Sequence, residues 1–495
     1  MDGEAPLSSD APRARTRPEP TVVDGPLYAD RVKVYPKAVR GTFRRAKWAI
    51  LAFCLAVYYL LPWVRWDRGP DAPDQALLID LEGRKAYFFF LEIWPQEVYF
   101  LTGLLILAAI GLFLVTSLLG RVWCGYACPQ TVWTDLFMWV ERRIEGDRAA
   151  RMRLDAAPMS AGKAARKAAK HAAWLAIAFA TGGAWVMYFG DAPTVVGEIL
   201  TGRASGTVYF FVGLFTLTTY VLAGWAREQV CTYMCPWPRF QAAMMDEQSM
   251  IVTYQAWRGE PRGKHKAGTS WEGRGDCVDC TACVQVCPTG IDIRDGQQME
   301  CIGCGLCIDA CDDIMARVDR PKGLIALSTV EAQQARACGA PAPAWRVVRP
   351  RTMIYAGVLS AVALVMLGAL LMRPTVEVTV LRDRNPLYVE LGNGDIRNAY
   401  TLKILNKTRE RHEYVLSAPG FAGPVLTHVA AGDPLPPAGS IVLGARPDGV
   451  ASYRVFVTLP RDRLAQESTP LTFLLVDRAT GAEARYPTVF LSPDR

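Results

Sequence analysis

The sequence predicts a multi-domain membrane protein in which a five-helix transmembrane bundle carries an inserted cysteine-rich domain and a C-terminal β-sandwich. Three observations predict it: five long apolar blocks without charge, eight cysteines in one repeated spacing, and a cysteine-free tail of short alternating segments. The 495 residues suffice for about three folded units. Hydrophobic residues make up 51% and charged residues 21%, too apolar a balance for a disordered chain. Because the apolar residues are gathered into blocks, a wholly soluble globular protein is excluded. The net charge of +7 follows the blocks, whose flanks are basic, and this points to a membrane surface and not to nucleic acid.

The blocks are 48–64, 98–120, 172–190, 204–226 and 352–372. A helix of about 20 apolar residues spans a bilayer core. The first block is the shortest, but Trp48, Tyr58, Tyr59, Trp63 and Trp66 bracket it as an interfacial aromatic belt. No removable signal peptide is expected ahead of it, and residues 1–30 read as a disordered arm. Basic residues set the orientation: seven in 31–47 and ten in 121–170, against four basic and seven acidic in 65–97. The N-terminus is therefore expected in the cytoplasm of a bacterial inner membrane, with 121–171 and 227–351 on the same side and the tail in the periplasm. The expected units are an arm at 1–46, a four-span region at 47–250, a cytoplasmic domain at 251–345, a fifth span at 346–374 and a periplasmic domain at 375–495.

Within the cytoplasmic domain, Cys277-x2-Cys280-x2-Cys283-x3-Cys287-Pro288 is followed by Cys301-x2-Cys304-x2-Cys307-x3-Cys311. In two-cluster ferredoxins, three cysteines of one run and the fourth of the other bind each cluster. The spacing thus predicts two [4Fe-4S] clusters, one on Cys277, Cys280, Cys283 and Cys311, the other on Cys301, Cys304, Cys307 and Cys287. Gly303 and Gly305 suit the tight ligand loop. A zinc ribbon ordinarily takes four ligands from two separated pairs, without a repeated triplet and a Cys-Pro. Asp312 stands where the common pattern has proline, which leaves the local turn open.

The chain also repeats itself: Cys124-Gly-Tyr126-Ala-Cys128-Pro129 matches Cys231-Thr-Tyr233-Met234-Cys235-Pro236 at an offset of 107 residues. Each copy follows a block entering the cytoplasm, so the first two spans look duplicated as the third and fourth, and repeats of this kind meet at shared sites. If each Cys-x3-Cys is helical, its sulfurs share a face. Four converging thiolates would suit Cu(I), zinc or an iron–sulfur centre. The competing readings are simple packing of small apolar side chains and a disulfide, which a reducing cytoplasm disfavours.

Cys54 and Cys338 read as incidental, and Met234, Met244, Met245 and Met250 as packing, with some interest in Met234 as a thioether ligand. The four histidines form no local ligand pair. No Cys-x-x-Cys-His haem site, dinucleotide fingerprint or phosphate loop is present, so electrons must come from a partner, a quinol or a diffusible reductant. The tail alternates in segments such as 376–380, 452–457 and 471–475, as an Ig-like β-sandwich does, and it shows no catalytic constellation.

The paired Cys-x3-Cys-Pro motifs, the eight-cysteine block with its single Cys-Pro and its Cys-Asp at 311–312, the fifth span and the tail together resemble one family. It is the membrane polyferredoxins called CcoG, FixG or RdxA, accessory proteins of cbb3-type cytochrome c oxidase assembly. The resemblance covers nearly the whole chain. It implies a cupric reductase, an oxidoreductase turning Cu(II) into Cu(I) on the cytoplasmic side, and with that activity Cys124, Cys128, Cys231 and Cys235 are expected to be the catalytic and copper-binding residues, receiving single electrons from the two clusters. It also implies a copper-export ATPase or oxidase assembly factors as partners beside membrane lipid, and leaves the electron donor and a homo-oligomer open. Two alternatives stand: a quinol-linked electron-transfer subunit resembling NapH and NosR, and a non-enzymatic redox-sensing assembly scaffold.

Overall fold

The computed structural model describes residues 33–70, 72–265, 270–419, 425–430, 433–434, 439–464 and 466–493; the arm at 1–30 lies outside them. Four helices are long and apolar enough to cross a bilayer: Thr42–Trp63, Pro95–Leu119, Gly206–Ala226 and Pro350–Leu371. Large apolar side chains point outward from them, among them Phe53, Leu105, Phe210 and Leu364, an arrangement suited to lipid and not to water. Each carries one of the expected apolar blocks.

The remaining block, 172–190, falls short of that length and apolarity. It lies on a helix, Ala161–Val186, that Ser160 caps through Lys163 N. The first half of this helix carries Lys163, Arg166, Lys167 and Lys170, and the helix ends at Val186, so the apolar stretch is cut short at both ends. The helix nevertheless joins the same two ends of the molecule as the others. Lys167 and Lys170 pair with Glu145 at 3.0 and 3.1 Å near its start, and Ile79 N donates to Tyr188 O at 2.8 Å just past its finish.

A polar helix, Pro129–Glu145, holds the starts and ends of these helices together. Its Asp135, 1% exposed, accepts from Arg44 at 2.8 Å and faces Lys47 at 3.7 Å. Its Glu141 pairs with Arg151 and Arg227, each at 2.8 Å. Buried charges of this kind persist only when paired, and removing one partner typically costs about 3–5 kcal/mol. The pairing explains how Arg44 and Lys47 can be buried at the start of an apolar helix.

Beyond one end of the helices lies the cysteine-rich domain, tied by the antiparallel pair Ile251–Tyr254 with Ile325–Ser328 and cored by Val252, Ile293, Ile308, Met315 and Leu324. At the other end, residues 77–93 form a three-stranded meander on which the tail docks. Glu97 accepts from Arg373 at 2.6 and 2.8 Å and from Lys407 at 2.7 Å, and Lys85 pairs with Asp448 at 2.7 Å. The tail itself has two antiparallel sheets. One places Gly449–Leu459 between Val425–Ala430 and Ile396–Asn406, with Val376–Arg382 beyond; the other orders Ser440–Ala445, His412–Ser417, Ser468–Asp477 and Glu483–Leu491. Alternate residues such as Tyr400, Leu402, Ile404, Phe473 and Leu475 fill the core between them, as period-two patterning requires.

Candidate redox and metal site

The eight domain cysteines fall into two neighbourhoods. Cys311 has Cys277, Cys280 and Cys283 as its charged-state neighbours; Cys287 stands with Cys301, Cys304 and Cys307. This crossing of the fourth cysteine arises because each short ligand helix, Ala282–Val286 and Leu306–Arg317, carries the end of its run across to the other loop. Gly303 and Gly305 turn with φ of 69° and 71°, and a side chain at Gly305 would meet the Phe43 ring. The two runs end differently. Cys287 is extended ahead of Pro288, as the residue before proline must be, whereas the helix from Leu306 continues through Cys311 and Asp312 to Arg317. A proline at 312 would break that helix; Asp312 instead accepts from Gly323 N at 2.8 Å.

The repeated motifs are not simple α-helices. Val122–Tyr126 is helical and Val230–Met234 forms wider π turns, but both copies close with a five-residue hydrogen bond, Cys128 N to Trp123 O at 2.9 Å and Cys235 N to Val230 O at 2.8 Å. Cys128 and Cys235 are then extended, forced by Pro129 and Pro236. Even so, Cys124, Cys128, Cys231 and Cys235 line one cavity of about 290 Å³, together with Arg121, Gln130, Trp237 and Met299. Cys124 Sγ donates to Gln241 Oε1 at 3.1 Å. Burial, reinforced by neighbouring thiols, pushes Cys124 up to about 12 and Cys231 up to about 11, so thiolates here need a bound cation to hold their charge.

Among the described residues, no three thiols, imidazoles or carboxylates stand close enough to share one metal ion. A four-iron cluster asks for a different arrangement of the domain cysteines, with each thiolate on its own iron. The soft donor sets and the positive-φ glycine loop fit that group.

The cavity and the domain are in direct contact. Cys124 and Cys231 pack against the apolar cluster that includes Ile302, Cys304 and Leu306. Tyr126 Oη donates to Cys304 O at 2.9 Å. A Cβ on Gly125 would lie 2.8 Å from Ile302 O and 3.0 Å from Cys304 Cα, so only glycine admits the approach. Arg121 Nη1 donates to Cys301 O at 2.9 Å and to Met299 O, while its Nε and Nη2 have no partner among the described residues and the side chain lines the cysteine cavity. The domain also caps the first membrane helix: Asp309, between Cys307 and Cys311, accepts from Phe43 N at 3.2 Å and Arg44 N at 2.7 Å.

No motif marks Gly125, Gln241 or Asp309, and Arg121 carries only the signal of a charge three residues ahead of Cys124. The other expected positions are ordinary. Cys54 is half-buried on the first helix, and Cys338 is exposed. Met234 is exposed, and Met244 accepts from Tyr355 Oη at 3.0 Å. His171 contacts Tyr220 at 2.9 Å, and His412 pairs with Asp477 at 2.7 Å; the His428 side chain lies outside the described residues.

Residues 226–330 match a family described as a 4Fe-4S dicluster domain, residues 101–146 one described as a 4Fe-4S binding domain, and residues 366–493 one described as an Ig-like fold at the C-terminal of FixG. The chain is 49% identical over 498 residues to the nitrogen fixation protein FixG of Rhizobium meliloti, covering 95% of each. It is 54% identical over 400 residues to protein RdxA of Cereibacter sphaeroides, covering 80% of this chain and 84% of that one. Protein RdxB of the same organism is 48% identical over 469 residues, with 94% and 97% covered. The chain belongs to the FixG/RdxA family of membrane iron–sulfur proteins.

Proposed function

We propose that this chain is a membrane oxidoreductase that reduces Cu(II) to Cu(I) at the cavity lined by Cys124, Cys128, Cys231 and Cys235, serving cbb3-type cytochrome c oxidase assembly. In this reading Cys277, Cys280, Cys283 and Cys311 hold one [4Fe-4S] cluster, and Cys301, Cys304, Cys307 and Cys287 the other. Such clusters change state one electron at a time. Each Cu(II) consumes one electron, drawn from a donor outside the chain. The residues here bind and orient: sulfur donors lining the cavity favour the softer Cu(I) product, and Arg121 fixes the Met299–Cys301 loop against the cavity. The observation that carries the reading is the packing of Cys124 and Cys231 against the apolar cluster of Ile302, Cys304 and Leu306, which joins the cavity to a cysteine of the iron–sulfur block. The sidedness proposed with it has five crossings, with 172–190 as the third, and places the iron–sulfur domain in the cytoplasm and the tail in the periplasm. It is supported by the basic bias of 31–47 and 121–170 and by the contacts at the two ends of the Ala161–Val186 helix.

The test is to reduce the purified protein anaerobically, titrate it with Cu(II) and follow reoxidation of the clusters together with Cu(I) formation. Serine at all four cavity positions should abolish copper reduction and leave cluster absorbance intact; unchanged copper reduction removes the proposed site. One observation favours a second reading, in which the cavity holds a third cluster. The match over 101–146 is described as 4Fe-4S binding, yet its cysteines are Cys124 and Cys128 alone, so a cluster there would need Cys231 and Cys235 as well. Iron analysis separates the two readings, at about eight irons per chain for the first and about twelve for the second.

A further inference from the structure

A second cavity, of about 880 Å³, lies at the start of the first membrane helix, away from the cysteines. It is lined by Arg40, Arg44, Arg45, Arg142 and Arg143, by Trp48 and Trp139, and by a single carboxylate, Asp147. Asp147 is already engaged by Ala38 N at 2.9 Å. Arg44 is held by Asp135, whereas Arg40, Arg45 and Arg143 are exposed and have no acidic partner among the described residues. The two indoles meet edge to face at 6.4 Å; Arg44 lies over Trp48 at 4.4 Å and Arg143 over Trp139 at 5.3 Å. Unpaired guanidinium groups crowded into one concavity repel one another unless an anion joins them, and guanidinium matches phosphate oxygens in pairs.

What lies beside the arginines identifies the source of the phosphate. Arg45 heads an exposed stripe on the same helix that continues through Ala49, Phe53, Ala56 and Leu60, at the three- and four-residue spacing of one helix face. Tryptophans sit where such a stripe passes from acyl chains to headgroups. We infer that this cavity is a binding site for an anionic phospholipid, its phosphate held by Arg40, Arg45 and Arg143 and its acyl chains laid along the Ala49–Leu60 stripe. Basic pockets beside membrane helices recognise anionic headgroups in this way. The inference stands whether or not the cavity cysteines handle copper.

Native mass spectrometry of the full chain in detergent, with added phosphatidylglycerol or phosphatidylcholine, tests it. Phosphatidylglycerol should be retained in preference to phosphatidylcholine. The triple variant Arg40→Gln, Arg45→Gln, Arg143→Gln should lose about a hundredfold in its affinity, roughly fivefold for each arginine. The corresponding triple lysine variant, which keeps the charge but not the paired contacts, should bind more tightly than the glutamine variant and more weakly than the parent, and unchanged cluster absorbance in both variants shows that they have folded. Equal retention of the two lipids, or an undiminished triple glutamine variant, overturns the site. Complete displacement of the lipid by millimolar inorganic phosphate overturns the lipid assignment in favour of a free anion.

Discussion

Tyr126 and Tyr233 occupy the same position in the two cysteine motifs, yet Tyr126 is 8% exposed and bonded to Cys304 O while Tyr233 is 77% exposed. The neighbouring positions diverge in the same sense. Gly125 admits the backbone of Ile302 and Cys304; its counterpart Thr232 bonds back to Glu228 O at 2.8 Å. Ala127 is answered by the exposed Met234. Both copies keep the cysteines, the five-residue closure and the proline, so duplication preserved what aims sulfur into the cavity. The first copy has the iron–sulfur domain seated on it, and the residues between its cysteines, Gly125 and Ala127, are smaller than Thr232 and Met234 in the second. Ligand geometry and docking are therefore separable properties of one short motif.

The largest effect should fall on both copies alike. Because all four sulfurs line one cavity, Cys124→Ser with Cys128→Ser and Cys231→Ser with Cys235→Ser should each lower copper reduction by more than the roughly 10–100-fold seen when even outer-shell metal contacts are lost. A pair that keeps its activity would show that one copy suffices. Next, Gly125→Ala should destabilise the seating of the domain by about 1–3 kcal/mol, since its new carbon meets backbone that cannot rotate away. Thr232→Ala should stay within about 0.5 kcal/mol, as surface changes do. Hydrogen exchange over residues 299–306 reads the difference, and equal protection in the two variants would contradict the asymmetry. Tyr126→Phe removes one buried hydrogen bond, about 1 kcal/mol, visible as a lowered melting temperature; Tyr233→Phe should leave the temperature unmoved.

The smallest effect lies far from both copies and serves as their control. Glu92, buried opposite Asp448 and near Arg409 and Lys85, is pushed up to about 7 from 4.5 by desolvation first and by the Asp448 carboxylate second. Its proton is thus held in the docked state over a range where the free carboxyl has lost it, so attachment of the tail weakens as pH rises from about 4.5 to 7 and levels off above. Glu92→Gln should flatten that profile in a limited-proteolysis assay without altering copper reduction.

Local periodic signals carried most of the architecture. The apolar blocks, the cysteine spacing and the alternation around Tyr400 and Phe473 each repeat over a few residues, and each corresponds to an element. The 172–190 block shows where such reading ends: its helix begins at Ala161, on a lysine-rich turn that hydropathy discounts. The site was legible as a set of sulfurs but not as an assembly. Arg121 reaches Cys301, Gln241 reaches Cys124 and Asp309 reaches Phe43 across long separations in the chain, and nothing in the spacing of a single strand of sequence records such encounters. The extended Cys128 and Cys235 could have been read from the prolines that follow them.

Asp309 carries one further consequence. The carboxylate that closes the amino-terminal end of the first membrane helix is bracketed by two cysteines of the iron–sulfur block, so residues 306–317 must be in place before that helix is finished at its tip. A chain starved of iron would loosen its own anchor, and the maturity of the iron–sulfur fold would be felt inside the lipid by the span that precedes it.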